Sequence, residues 1–422
     1  MTTKRITCIC AALAACALLT SCGMIADDLM SGITPAKTDG RSSDDRFCTA
    51  ETDFALALLR GETAAQPQQN VVLAPYSLSQ TLAMSANGAK GDTLADTEQL
   101  FGGLTAEELN SYFSGNPVPS VKKSSARLLS ANSIWFRDQA SLEVKPAFLQ
   151  TNADCYGADI FKAAFDDSTV ADMNAWISES TGGAVKNAVQ SLDPTTELSL
   201  LNALSFASEW AEKYEESSIS PDGIFCTESG EQQTAVYMYS DEAVFLRSED
   251  AVGFTKPYRE LGGHVYEFCA VLPNEGISLG DYLCTVTAET FPQPAPDACT
   301  RAGLPKFGFS ADRTLNDTLK GMGLSAAFSG DTADYTDMAA TDDGNIYLGS
   351  VRQIVRVDVD DAGTKAEDIT IQDHAVSSAD PRPEGQQNVT LSRPFLFLIR
   401  DADTKLPLFA GAVYSLNENA AN

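Results

Sequence analysis

Apolar and polar side chains alternate from Ile346 to Asp361, with Val351, Val355, Val357 and Val359 in phase, and the alternation stops at Gly363. A period of two predicts an extended strand with one buried face. From Thr364 to Ser392 only scattered apolar side chains occur, and core-like sequence resumes at Pro394–Ile399. A structureless stretch of that length inside a compact domain is uncommon, and is usually functional or disordered. Its first residues are unusual for a loop, because Thr364, Ala366, Asp368 and Thr370 share one face of an extended chain and none is large. Such a face suits addition of a strand to an existing sheet.

Upstream, Phe47–Arg60 has helical spacing and Asn70–Ala74 reads as a short buried strand. Pro75 stops that strand and suits the first turn of a helix from Tyr76, with Leu78, Leu82 and Ser85 on one side, which Asn87-Gly88 ends. Leu128–Phe136 is strand-like, Met173–Val189 helical, and Leu198–Phe206 and Val265–Leu272 are apolar strands. Phe395–Ile399 and Leu408–Tyr414 form a hairpin across the polar turn Asp401–Lys405. Helices come first and strands dominate later, so the pattern predicts one α+β domain over residues 47–416, followed by a polar tail at 417–422.

The N-terminus carries Lys4-Arg5, the apolar run Ile6–Leu19, and then Thr20-Ser21-Cys22. This reads as an export signal, with a run too short to span a bilayer comfortably. Leu19–Cys22 resembles the bacterial lipobox, which implies removal of the leader and lipid modification of Cys22 as the mature first residue. The expected localisation is then a lipoprotein anchored in the membrane at the bacterial cell surface, or a secreted form. Residues 23–46 are polar and rich in Gly, Ser and Asp, as a flexible tether would be. Formal charge is −29, and becomes −31 once the leader cations Lys4 and Arg5 are removed. That acidity, spread along the chain, argues against nucleic acid as a partner. Six cysteines remain after the leader and Cys22 are set aside, with no CxxC among them, so metal-ribbon and thioredoxin-like chemistry lack support. Disulfides and free thiols both remain open.

Only two histidines are present, His264 and His374. Gly276-Ile277-Ser278-Leu279-Gly280 matches G-x-S-x-G, and Ser278 with His374 downstream gives a serine-hydrolase order. The context opposes it, because Pro273-Asn274-Glu275 separates the motif from the preceding strand, whereas a nucleophile elbow needs the strand to run straight into the turn. No phosphate, dinucleotide or zinc-protease motif occurs, so no cofactor or metal is expected.

Several blocks, taken in order, resemble the serpin family of protease inhibitors. They include Asn70–Ser79, Gly88–Thr93, Ala131–Trp135, Asn174–Ile177, Leu201–Ala203 with Trp210, and Lys256-Pro257-Tyr258. Further on come Leu304–Phe307, Gly323-Leu324, Gly363-Thr364, Arg393–Phe397 and Pro407–Gly411. The resemblance implies three β-sheets, eight or nine helices and an exposed reactive-centre loop. It implies no catalytic activity of the chain's own. A target serine protease would attack the loop, form a 1:1 acyl-enzyme with the monomeric inhibitor, and be trapped as the cleaved loop inserts into the central sheet.

The resemblance also implies roles for particular residues. Ser77 and Asn202 match positions that hold the middle of the sheet closed, with Gln353 where the family more often has His. Trp210 matches the aromatic residue at the top of the sheet, and Lys306 with Asp361 a bridging pair there. The hinge comprises Asp361, Gly363, Thr364, Ala366 and Asp368. The family's hinge spacing puts the reactive bond at Ser377-Ser378, or one residue earlier after Val376. Small residues there suit elastase-like or subtilisin-like proteases, and Arg382 is followed by Pro383, which disfavours trypsin. Asp368 departs from the small residues of inhibitory hinges and favours the alternative of a non-inhibitory serpin, a cleavable substrate or binding protein.

Overall fold

The computed structural model describes residues 24–123, 126–193, 196–296, 298–342, 344–365 and 386–417. Cys22, Ala366, Asp368, His374, Val376, Ser377 and Ser378 therefore lie outside the described residues.

An eight-stranded sheet organises the molecule. In chain order its strands are β1 (Asp27–Asp28), β2 (Val121–Lys122), β3 (Arg127–Arg137), β4 (Asp159–Ala163), β5 (Leu198–Glu209), β6 (Phe307–Thr314), β7 (Leu348–Val359) and β8 (Gly363–Lys365). Across the sheet they run β1-β4-β3-β5-β8-β7-β6, with β2 paired to β3. A seven-stranded sheet includes the predicted C-terminal hairpin, Phe395–Asp401 against Pro407–Val413, in which every residue is buried. A four-stranded sheet and a two-stranded ribbon complete the set among the described residues. Eight α-helices occur among the described residues: α1 (Asp45–Ala65), α2 (Pro75–Ala86), α3 (Gly91–Leu100), α4 (Ala106–Gly115), α5 (Pro146–Tyr156), α6 (Asp167–Ser180), α7 (Leu279–Thr285) and α8 (Asn316–Gly321). The expected α+β class with three principal sheets is thus the observed one.

Helix α2 lies deepest, with all twelve residues buried and Pro75 at its first turn. Its hydroxyls must then find partners inside the protein, since an unpaired buried polar group is costly. Ser77, Ser79, Thr81 and Ser85 all do so. Helix α6 packs Met173, Trp176 and Ile177 over Trp135, Leu201, Ala203 and Ile354, and so covers one face of β3, β5 and β7. It is shorter than the spacing predicts. Gly182 and Gly183, at φ +65° and +90°, turn the chain out of the helix after Thr181. The Asn174 side chain then holds Val189 by both backbone groups, at 2.7 and 2.9 Å.

Two stretches of polar composition differ from expectation. The tether expected at residues 23–46 is attached along its described part, first to the edge of the central sheet and then to helices α5 and α4. The Ile25 and Ala26 N–H groups donate to the buried Asp172 carboxylate of α6 at 2.8 and 2.7 Å. Strand β1 pairs antiparallel with β4, and Ala36 and Arg41 bond to Asp154 and Ser111 further on. These bonds use backbone groups, which composition does not register. Likewise Gln387–Thr390, inside the apparently structureless stretch, pairs parallel with Thr300–Gly303 and needs only Val389 and Leu391 as buried anchors.

Candidate functional site at the divided central sheet

Strands β5 and β7 run parallel and are paired directly from Leu198 with Leu348 to Ser205 with Arg356. Beyond that point they part, and β8 fills the gap antiparallel to both. Gly363 faces Glu209 and Thr364 faces Ser208 on one side, while Thr364 faces Val359 and Lys365 faces Asp358 on the other. The chain reverses from β7 into β8 through a turn built on Asp360, whose carboxylate accepts from the Ala362 and Gly363 N–H groups at 2.8 and 3.0 Å. Glycine is required at 363 because a Cβ there would meet the Ser208 carbonyl oxygen at 2.0 Å.

An aromatic floor supports the seated strand. Thr364 is 1% exposed, and its hydroxyl lies 2.7 Å from the Tyr258 hydroxyl. The Tyr258 ring stacks on Trp210 at 4.4 Å between centroids and 11° between planes. Trp210 donates from its indole N–H to the Asp360 carbonyl at 2.8 Å and from its backbone N–H to Ala362 at 3.0 Å. Burial pushes the Tyr258 phenol far above the ordinary tyrosine range, so it keeps its proton at every physiological pH. Beneath, the buried Lys256 ammonium meets Glu242 at 2.8 Å and the face of Tyr214 at 4.4 Å. Lys306 bonds to Asp361 at the start of the turn.

The middle of the sheet is closed by a row of amides. Asn132, Asn202 and Gln353 stand in register on β3, β5 and β7. The Asn202 side chain contacts the Ser77 hydroxyl, reaches Asn132 at 2.6 Å, and accepts from Gln353 at 3.0 Å. Gln353 also grips both backbone groups of Ala74, accepting from its N–H at 2.8 Å and donating to its carbonyl at 2.9 Å. With Gln in place of the family's usual His, the network holds no group that titrates near neutral pH.

The sites anticipated from sequence thus form two clusters: Ser77, Asn202 and Gln353 at mid-sheet, and Trp210, Lys306, Asp361, Gly363 and Thr364 at the end where β5 and β7 part. Sequence reasoning assigned no role to Asn132, Tyr258 or Asp360. The first two lie in blocks that carry the family resemblance, and Asp360 precedes Gly363 at a spacing typical of Asp-led turns.

Of the serine-hydrolase pair, His374 lies outside the described residues, and Ser278 has a structural role. Ser278 caps α7, accepting from the Asp281 N–H at 3.0 Å and donating to the Asp281 carboxylate at 2.8 Å. His264 pairs with Asp401 at 2.9 Å. The six cysteines among the described residues are all free.

This geometry defines a protein whose central sheet is parted to hold a strand drawn from its own chain. A family profile described as Serpin (serine protease inhibitor) matches residues 49–416, and the chain belongs to that family. It is 30% identical to Serpin-ZXA of Oryza sativa subsp. japonica over 86% of this chain and 96% of the relative. It is 25% identical to the Homo sapiens leukocyte elastase inhibitor over 87% of this chain and 98% of that protein. Among solved structures, the thermophilic serpin tengpin in its native state superposes with a TM-score of 0.82 at 36% identity, covering 93% of this chain and all of that one. Tengpin in its latent state gives 0.74. Members of the family are protease inhibitors rather than enzymes, and some of them inhibit serine proteases.

Proposed function

We propose that this chain is an exported, lipid-anchored suicide inhibitor of serine proteases, which inserts its cleaved reactive loop between β5 and β7. The observation that carries this reading is the seated β8. The segment following β7 already turns back between the two parallel strands, with Thr364 buried on the face that Ala366 and Asp368 would continue. A target protease would acylate the loop at Ser377-Ser378, within one residue, and small side chains there favour elastase-like or subtilisin-like enzymes with shallow primary pockets. A panel containing trypsin, an elastase and a subtilisin tests this. The expected result is a 1:1 complex with the latter two that survives denaturing electrophoresis, and a released C-terminal fragment whose mass gives cleavage at residues 376–378. Fast stoichiometric trapping of trypsin after Arg382 or Arg393 would overturn the target assignment.

A second reading, a non-inhibitory serpin cleaved as an ordinary substrate, is favoured by Asp368. Carried into the sheet on the face of Thr364, its carboxylate would be buried without a partner or forced to take up a proton, and either slows insertion. Asp368→Ala separates the two, since it should lower the cleaved share of an inhibitor and leave a plain substrate fully cleaved. Lipidation at Cys22 of a monomer held at the bacterial cell surface is the localisation we propose. Cys22→Ser should move the protein from the membrane fraction to the soluble one.

A further inference from the structure

The chain ahead of β1 is held in place as far back as Met24. Ile25 and Ala26 donate their N–H groups to the Asp172 carboxylate, while Met24 and Ala26 pack against the apolar cluster of Trp135, Trp176 and Ile354 beneath α6. Extended backbone sends alternate side chains to opposite sides, so Ile25, between two inward neighbours, points out. It is 76% exposed, against 44% for Ile224 and 38% for Val265, the next large apolar side chains in order among the described residues. One exposed isoleucine is ordinary on a surface. Its place in the chain gives this one meaning.

The strand registers put this segment at one pole of the molecule. Asp27 lies beside Lys162, Lys162 beside Phe136 and Phe136 beside Leu198, whereas Gly363 lies beside Glu209 at the other end of β5. β5 has 12 residues, so at about 3.3 Å per residue the two levels are about 35 Å apart along the strand. β1 is antiparallel to β4, and the chain before Asp27 therefore continues away from the hinge. Gly23 alone separates Met24 from Cys22, and two peptide steps of about 3.8 Å keep those Cα atoms within about 8 Å of each other. A flexible tether over residues 23–46 would instead let the body wander by about 25–30 Å. Charge does not draw this pole to a membrane, since Asp27, Asp28 and Asp138 are exposed around Lys162, whose ammonium lies 4.0 and 3.2 Å from the Asp27 and Asp138 carboxylates. The attraction available there is apolar.

We infer that this pole is a membrane-docking face: the lipid on Cys22 and the Ile25 side chain enter the bilayer together, the start of β1 rests at the headgroups, and the reactive loop is presented from the opposite pole. The inference rests on the lipidation of Cys22 proposed above, and adds to it a fixed orientation in place of a free tether.

The full chain, expressed as the processed lipoprotein and reconstituted into phosphatidylcholine bilayers, tests this. Trp135, Trp176 and Trp210 are buried, so an introduced indole reads its own surroundings. In vesicles containing phospholipid brominated on its acyl chains, Ile25→Trp should lose most of its added emission. Ile224→Trp should lose none, because Ile224 belongs to the four-stranded sheet whose strand Thr300–Pro305 leads into β6 at the hinge end. Neutron reflectometry on a supported bilayer should find the wild-type protein in contact with the headgroups, and Asp172→Ala, by freeing residues 23–29, should open a hydrated gap of about 15 Å. A gap beneath the wild-type protein, or equal quenching at positions 25 and 224, would overturn the docking face. Mass spectrometry of the N-terminal peptide separates the two readings. Lipid on Cys22 together with such a gap refutes the docking face alone, whereas an unmodified Cys22 refutes the lipid anchor and the docking face with it.

Discussion

Replacing Glu51 by glutamine should stabilise the protein at neutral pH and leave it unchanged near pH 4. Glu51 sits on α1 with no exposure; one carboxyl oxygen accepts from the Ser79 hydroxyl at 2.7 Å, and the other is buried without a partner. Burial raises its pKa to about 8, a shift only partly opposed by the Ser79 bond. An unfolded glutamate titrates near 4.3. Between about pH 4.5 and pH 8 the folded chain therefore holds a proton that the unfolded chain has released. Stability falls as pH rises through that window, because the native state binds more protons than the unfolded one. At pH 7 the interval is about 2.5 pH units, or roughly 3 kcal/mol. Glutamine reproduces the neutral acid in shape and removes the titration. For a domain of this size, with an unfolding entropy of roughly 0.8 kcal/mol/K, the gain is a rise of about 4 °C in Tm at pH 7. Thermal unfolding followed by far-UV circular dichroism at half-unit steps from pH 4 to pH 8.5 measures it. The wild-type and variant curves should converge at the acid end and diverge steadily above pH 5. Parallel curves, or a less stable variant at pH 7.5, would refute the reasoning.

Three further outcomes follow from the geometry. Gln353→Leu keeps the volume but orphans the Ala74 N–H and the Asn202 carbonyl, at about 1–3 kcal/mol each, so native Tm should fall by several degrees in a thermal scan. Thr364→Arg cannot seat a long cation in a site 1% exposed; exchange of Gly363–Lys365 should rise to that of open loop, and the cleaved share in a protease titration should approach completeness. Asp172→Ala removes the acceptor of the Ile25 and Ala26 N–H groups, so amides 25–29 should lose protection while those of β5 keep theirs.

What was legible in the sequence was whatever depends on side-chain periodicity. β7 and the C-terminal hairpin show it as alternating or continuous apolar runs, and Pro75 announced the start of α2. The sites were legible to the extent that particular residue types stand at family positions, as with Lys306 and Asp361. The rest depends on features that side-chain pattern does not encode. β8 and Gln387–Thr390 are held chiefly by backbone ladders, and each needs only one or two buried anchors. Residues 24–44 are polar because their backbone, not their side chains, makes most of the attachments. The hydroxyl contact between Tyr258 and Thr364 joins residues 106 positions apart, and nothing local to either one indicates it.

Strand β1 has a further consequence for how these molecules behave in company. Without it, β4 would present a bare row of backbone donors and acceptors at the rim of the largest sheet, a template on which strands of other molecules could grow. Asp27 and Asp28 occupy that rim with two exposed residues of like charge. A chain clipped just before Leu29 would keep its core and lose this guard. Its failure would then take the form of concentration-dependent self-association, detectable by light scattering before any loss of fold.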